Sequence, residues 1–144
     1  MDRKIALVAC VKTKRAVPSP AHGLYTSPLF RKASSYARQI ADEWYILSAK
    51  HGLLDPETVI EPYEKTVRTM PVAERKAWAR EVVAQLRQVL RPGDRVVFLA
   101  GTRYRENLVD PVRQMGCRVE IPIAGLSFGQ QLQWLNEHIG STGE

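Results

Sequence analysis

Ile5-Ala6-Leu7-Val8-Ala9-Cys10 is a nearly continuous apolar run. A strand with one wet face alternates polar and apolar residues, so an unbroken run predicts a strand covered on both faces. Ser27-Pro28 then opens a helix. A serine hydroxyl can take a free amide at the amino end, and proline suits the first helical position. Leu29, Ala33, Tyr36, Ala37 and Ile40 follow at helical spacing and form one stripe. Trp44-Tyr45-Ile46-Leu47-Ser48 predicts the second strand. From Ala49 to Met70 no period holds, which is long for a connection inside a compact domain and marks a functional or mobile loop. Pro71 to Leu90 predicts the longest helix, with Trp78, Val82, Leu86 and Val89 on one side. Arg91-Pro92-Gly93-Asp94 is a turn, and Arg95 to Ala100 is the third strand. Gly101-Thr102 leads into a helix carrying Tyr104, Leu108, Val112 and Met115, which Pro111 kinks or restarts. Cys117 to Ile121 is the fourth strand, and Phe128, Leu132, Leu135 and Ile139 mark a closing helix.

Strand and helix thus alternate four times. That order predicts an α/β fold: a three-layer αβα sandwich around a mainly parallel four-stranded sheet. The 144 residues fit one domain over 1–140, with Ser141-Thr142-Gly143-Glu144 as a flexible tail. With 44% hydrophobic and 25% charged residues the chain can bury a core and keep a solvated surface. No apolar run approaches the roughly 20 residues of a bilayer span. The Ile5–Cys10 run is too short for a signal-peptide core, so a cytoplasmic protein is expected. Cys10 and Cys117 supply neither a metal framework nor a secreted disulfide pattern, and no other metal-ligand spacing occurs. No metal and no cofactor are expected.

The balance of 21 Lys+Arg against 15 Asp+Glu leaves a formal charge of +6. A basic surface attracts phosphate-bearing partners, nucleic acids or nucleotides first, although mild basicity also arises without any specific partner.

Ligands of such sheets bind outside the carboxyl ends of the strands. That rule selects four loops: 11–15, 49–52, 101–105 and 123–130. In the first, Lys12, Lys14 and Arg15 can hold a phosphate or form a solvated charge run. Neither a phosphate-loop fingerprint nor GxGxxG is present. Cys10 is either a small buried thiol or a nucleophile activated by adjacent lysines. Ser48, Lys50 and His51 suit proton transfer or anion contact, but no GxSxG elbow supports a serine triad. Asp55 and Glu61 can activate water or stabilise a developing sugar cation, while Asp55 before Pro56 equally suits a turn. Tyr25 and Tyr63 can stack on a nucleobase or pack on their own domain. Ser27, Gly101, Arg105, Gly129 and Gln130 complete the candidate binding residues.

Three segments carry a resemblance: Leu24-Tyr25-Thr26-Ser27-Pro28-Leu29-Phe30, Trp44 to Leu53 (WYILSAKHGL) and Ile60-Glu61-Pro62-Tyr63. Ala9-Cys10-Val11-Lys12-Thr13-Lys14 and Gly129-Gln130-Gln131-Leu132-Gln133-Trp134-Leu135 fit it too. Together these segments resemble a bacterial and phage family of uncharacterised small α/β domains, over nearly the whole chain. More remotely the chain is similar to the uracil-DNA-glycosylase-like fold and to the core domain of archaeosine synthase. That similarity implies a glycosylase-like fold and a nucleobase as substrate class. Val11-Lys12-Thr13-Lys14 stands where the glycosylases carry a water-activating aspartate, so ordinary uracil excision is not expected.

The leading expectation is a nucleobase-directed enzyme acting on a modified base in DNA, RNA or a nucleoside. In it Lys12 and Lys14 contact phosphate, Tyr25 and Tyr63 frame the base, Asp55 or Glu61 serves as acid or base, and Cys10, Lys50 and His51 stand in reserve. The alternative is a non-catalytic nucleic-acid or nucleotide-binding module. A third reading is an enzyme of small nucleotide-like metabolites.

Overall fold

The structure is a computed structural model that describes residues 3–9, 18–24, 27–61, 63 and 65–139. The elements in chain order are β1 (Lys4–Ala9), β2 (Ser19–Pro20), α1 (Ala21–Leu24), α2 (Pro28–Ile40), β3 (Glu43–Ser48), β4 (Gly52–Leu54) and β5 (Val59–Ile60). A 3-10 turn (Val67–Thr69) precedes α3 (Val72–Val89), β6 (Arg95–Leu99), α4 (Thr102–Arg105), α5 (Val109–Gln114), β7 (Arg118–Glu120) and α6 (Phe128–His138).

The apolar run of β1 is a central strand, as its sequence requires. It pairs in parallel with β3 on one edge and with β6 on the other. Its side chains divide between two cores. Ile5 and Leu7 pack with Val96, Phe98, Val82, Leu86 and Val112 on the face covered by α3 and α5. Ala6 and Val8 pack with Phe30, Ala33, Ala37, Val97 and Leu135 on the face covered by α2 and α6. Helices therefore cover both faces of a mostly parallel sheet.

The sheet has five strands in the order β4-β3-β1-β6-β7, which corrects the expected four. The added strand, β4, turns back antiparallel on β3, with Ser48 opposite Gly52 and Ile46 opposite Leu54. Gly52 adopts φ +70°, and a Cβ there would run into the Gln85 side chain, so the tight Ala49-Lys50-His51 tip requires glycine at its exit. β5 pairs with β2 in a separate two-stranded ribbon. The stretch from Ala49 to Met70 is thus a hairpin, a ribbon strand and a 3-10 turn. Each piece is too short to show a period.

Local signals explain several helix ends. Ser27 Oγ accepts a hydrogen bond from the Phe30 amide at 3.1 Å, with Pro28 in the first turn. Ser127 and Gln130 form a reciprocal capping box at the start of α6. The helix expected from Thr102 to Met115 is two helices. Pro111 is the third residue of α5, where its missing N–H removes no intrahelical bond. Phe128, one of the residues that mark the closing helix, is 59% exposed as the first residue of α6, at the lip of the sheet's carboxyl edge. Residues 140–144, including the expected tail, lie outside the described residues.

At the opposite edge a buried carboxylate ties the strand starts together. Asp94, 4% exposed, receives Arg3 Nη2 at 2.7 Å, Arg3 Nε at 3.2 Å and the Arg91 amide at 2.9 Å. Arg3 also donates to the Val89 carbonyl at 2.8 Å. Burial acts to raise the Asp94 carboxyl, but the hydrogen bonds and charges of Arg3 and Arg91 outweigh it and hold the group below the ordinary carboxylate range. A carboxylate depressed in the native state contributes stability above its unfolded pKa and loses it as pH falls through the native value. Asp94→Asn is expected to cost about 2–3 kcal/mol near neutral pH, because a half-buried Arg3 loses its charged partner. It should also remove part of the stability lost below the unfolded carboxylate range. Urea unfolding of both proteins between pH 7 and pH 3 measures the two effects, and parallel stability–pH curves would contradict the assignment.

Candidate functional site

The order of the parallel strands, β3-β1-β6-β7, places the chain reversal between β1 and β6. From β1 the chain crosses to β3 on one side and later returns to β6 on the other. Connections leaving in opposite directions open a crevice at the carboxyl ends of that pair. A cleft of about 600 Å³ lies there. Ala9 ends β1, Leu99 ends β6 and Ala100 follows it, and all three line the cleft. Register keeps these ends level, with Val8 opposite both Ile46 and Leu99.

The cleft floor is apolar: Leu29, Phe30 and Ala33 come from α2, Leu135 from α6, and Ile123 from the segment after β7. Exposed Phe128 stands at the same cleft. Its polar lining comes from Thr66, Arg68 and Thr69 around the 3-10 turn, from Thr102 and Arg103 of α4, and from Gln131. The first turns of α2 and α6 both face the cleft, bringing two positive helix ends toward it. The Arg68 and Arg103 side chains are exposed and have no ion-pair or hydrogen-bond partner among the described residues. No carboxylate among the described residues lines the cleft. An apolar floor with a cationic rim suits a ligand that is flat and apolar at one end and anionic at the other.

A second cluster sits at the end of β3. Ser48 is fully buried, and its Oγ lies 2.7 Å from the Tyr63 hydroxyl and accepts the His51 amide at 3.1 Å. The Ser48 carbonyl accepts Trp78 Nε1–H at 2.8 Å. Trp78 packs edge-on against Tyr104, whose hydroxyl is 3.3 Å from Thr66 Oγ1. Ser48 is therefore linked through Trp78 and Tyr104 to the cleft wall. The His51 ring meets Tyr63 edge-on at 5.6 Å, and Lys50 Nζ lies 5.9 Å over the same tyrosine. His51 Nε2 is buried with no hydrogen-bond partner among the described residues. Burial, with the neighbouring Lys50 charge, holds this imidazole below its ordinary value.

The candidate residues read from the sequence separate accordingly. Cys10, Lys12, Lys14, Arg15 and Tyr25 lie outside the described residues. Gly101 lines the cleft as the residue before α4. Ser48, Lys50, His51 and Tyr63 come together in the cluster at the end of β3. Arg105 turns inward and donates to the Ala100 carbonyl at 2.8 Å, bracing the strand end. Ser27 and Gln130 are occupied by their helix caps, and Gly129 is exposed beside Gln130. Asp55 is exposed in a turn, where its Oδ1 accepts the Glu57 amide at 2.8 Å. Because β4 runs antiparallel, Asp55 is carried away from the carboxyl edge. Glu61 is exposed just after β5. Neither carboxylate lines the cleft.

Thr66, Arg68, Thr69 and Gln131, which also line the cleft, lie outside the four loops selected from sequence, whereas Arg103 and Phe128 lie within two of those loops without being named as binding residues. One signal was available: Ser127-x-x-Gln130 is a capping-box spacing, which commits Gln130 to the helix start.

The chain matches a family of unknown function (DUF6884) over residues 5–137. It is also similar to the uncharacterized protein YfjM of Bacillus subtilis (strain 168), at 36% identity over 64 residues. That match covers 40% of this chain and 43% of YfjM, so the chain spans under half the length of that relative. No solved structure matches.

The half-buried imidazole makes stability depend on pH. His51 titrates below its ordinary 6.5, so the unfolded chain binds the proton more readily and stability falls as pH drops below that value. His51→Phe keeps the ring packing and removes the unpartnered nitrogen. The variant is expected to match or exceed the parent's Tm at pH 7 and to show a flatter decline between pH 7 and pH 5. Thermal melts across that window decide it, and an unchanged slope would exclude His51 as the cause.

Proposed function

The chain belongs to the DUF6884 family, whose function is unknown, so its activity must be read from its own site, and we propose that the cleft binds a nucleotide. The base lies on the apolar floor against Phe128, and the phosphate faces Arg68 and Arg103. The single observation that carries this reading is the composition of the cleft: an apolar floor, an exposed aromatic, two guanidinium groups with no partner among the described residues, and no carboxylate among the described lining residues. A volume of about 600 Å³ suits a ligand of this size. The positive ends of α2 and α6 favour the same anion.

The resemblance to the uracil-DNA-glycosylase-like fold enters as part of this proposal, since it implies a nucleobase as the ligand. Base cleavage needs an acid or base at the sugar, and Asp55 and Glu61, both exposed, do not line the cleft. The reading therefore stops at binding.

Isothermal titration with the four nucleoside monophosphates and their parent nucleosides tests it. Nucleotides should bind more tightly than nucleosides, and added salt should narrow the difference. Phe128→Ala should weaken both classes about tenfold, within the roughly 1–3 kcal/mol of one base–aromatic contact. Arg68→Ala with Arg103→Ala should weaken nucleotides and leave nucleosides nearly unchanged. Absence of binding across the panel, or binding indifferent to all three substitutions, would overturn the reading. Release of free base, seen by mass spectrometry, would extend it to cleavage.

A further inference from the structure

A second concavity, of about 480 Å³, runs between α3 and the segment from Asn107 through α5. On α3 it is lined by Lys76, Arg80, Val83, Ala84 and Arg87, one stripe at helical spacing, with Ala79 beside them. Asn107, Pro111 and Gln114 form the facing wall. At 1.5 Å of rise per residue the three cations follow one another at steps of about 6 Å and about 10 Å along the helix. All three are exposed, and none has an ion-pair or hydrogen-bond partner among the described residues. The nearby carboxylates are engaged elsewhere: Glu106 with Arg75 at 2.9 Å, Asp110 with Arg113 at 3.8 Å, and Glu74 with Lys65 at 3.4 Å. Glu81, exposed on α3, does not line the groove.

We propose that this groove is a track for the phosphate backbone of a single-stranded nucleic acid. A line of cations with no partner among the described residues, and no acid among its described lining residues, is complementary to a polyanion. The floor favours a nucleic acid over an acidic protein segment. Ala79, Ala84, Val83 and Pro111 offer no deep apolar pocket for the anchor side chains that dominate protein interfaces. The Asn107 and Gln114 amides supply donors for phosphate or sugar oxygens. Arg103 lines the cleft and Asn107, four residues on in the chain, lines the groove. In the proposed arrangement one base lies in the cleft and the following backbone runs along α3. The inference deepens the nucleotide reading by making the ligand part of a polymer, and it rests on that reading only for the placement of the base.

The test uses fluorescence anisotropy of a labelled oligothymidylate about 20 nucleotides long, titrated with the full chain at several salt concentrations. A combined variant, Lys76→Gln with Arg80→Gln and Arg87→Gln, alters only exposed positions, and circular dichroism checks its fold. Its oligonucleotide affinity at low salt should fall at least tenfold. Its salt slope should shrink by about 2, because each phosphate contact on a single strand contributes roughly 0.7. Its mononucleotide affinity should stay at the parent value. Unchanged affinity and slope would overturn the track, as would polyglutamate displacing the strand with equal strength, or a clear preference for duplex of the same length. Oligonucleotide binding that depends on the three cations, without mononucleotide binding, would retain the track and remove the nucleotide reading. Mononucleotide binding without oligonucleotide binding would do the reverse.

Discussion

β1 shares its backbone hydrogen bonds in parallel with β3 and β6 and shares its side chains between two cores. Parallel neighbours cannot be joined by tight turns, so each needs a crossover through a helix. With partners on both edges of one strand, the crossovers depart in opposite directions. The helices between β1 and β3 cover one face, and α3, before β6, covers the other. The gap between these departures is the cleft. The position of the cleft is thus a consequence of where the first strand pairs.

The two ends of the sheet are built differently. At the amino edge, Arg3, Asp94 and the Arg91 amide close a buried charged cluster, and Arg95 donates its amide to the Arg3 carbonyl at 2.8 Å. At the carboxyl edge the ties run through longer side chains: Trp78 to Ser48, Tyr104 to Thr66, and Arg75 to the Met70 carbonyl at 2.6 Å and to Glu106. These links hold the wall of the cleft, whereas Arg68 and Arg103, which also line it, have no partner among the described residues. Arg75 belongs to the wall. It is almost completely buried, and its two partners fix the 3-10 turn that carries Arg68 toward the cleft.

The fold was legible where a segment was long enough to show a period. The apolar run of β1, the stripes of α2 and α3 and the cap at Ser27-Pro28 specify their own structure. β4 and β5 have three and two residues, and their strand character comes from the partners they meet. The edge that holds the cleft followed from topology, whereas the residues lining it did not. Asp55 and Glu61 drew attention as carboxylates in an aperiodic stretch, but the reversal at Gly52 sends Asp55 back along β3, away from the carboxyl edge. Arg68 and Thr69 lie in the same stretch and reach the cleft, because the 3-10 turn packs beside α4. Adjacency of this kind depends on how the chain returns, and no local pattern carries it.

Net charge by itself says little about partners, since +6 can be spread evenly over a surface. What distinguishes this chain is how individual cations are used. Arg3, Arg75, Arg95 and Arg105 are bound to carboxylates or carbonyls and serve the fold. Arg68, Arg103, Lys76, Arg80 and Arg87 face two concavities with no partner among the described residues. A guanidinium is weakly hydrated and presents a planar fork matched to phosphate, so exchanging its water for a phosphate oxygen costs it little. An exposed arginine paired to a neighbouring carboxylate would have to break that contact first. With no partner among the described residues, the four arginines and Lys76 lie beside an apolar floor and a shallow channel, where taking up an anion breaks no ion pair among those residues.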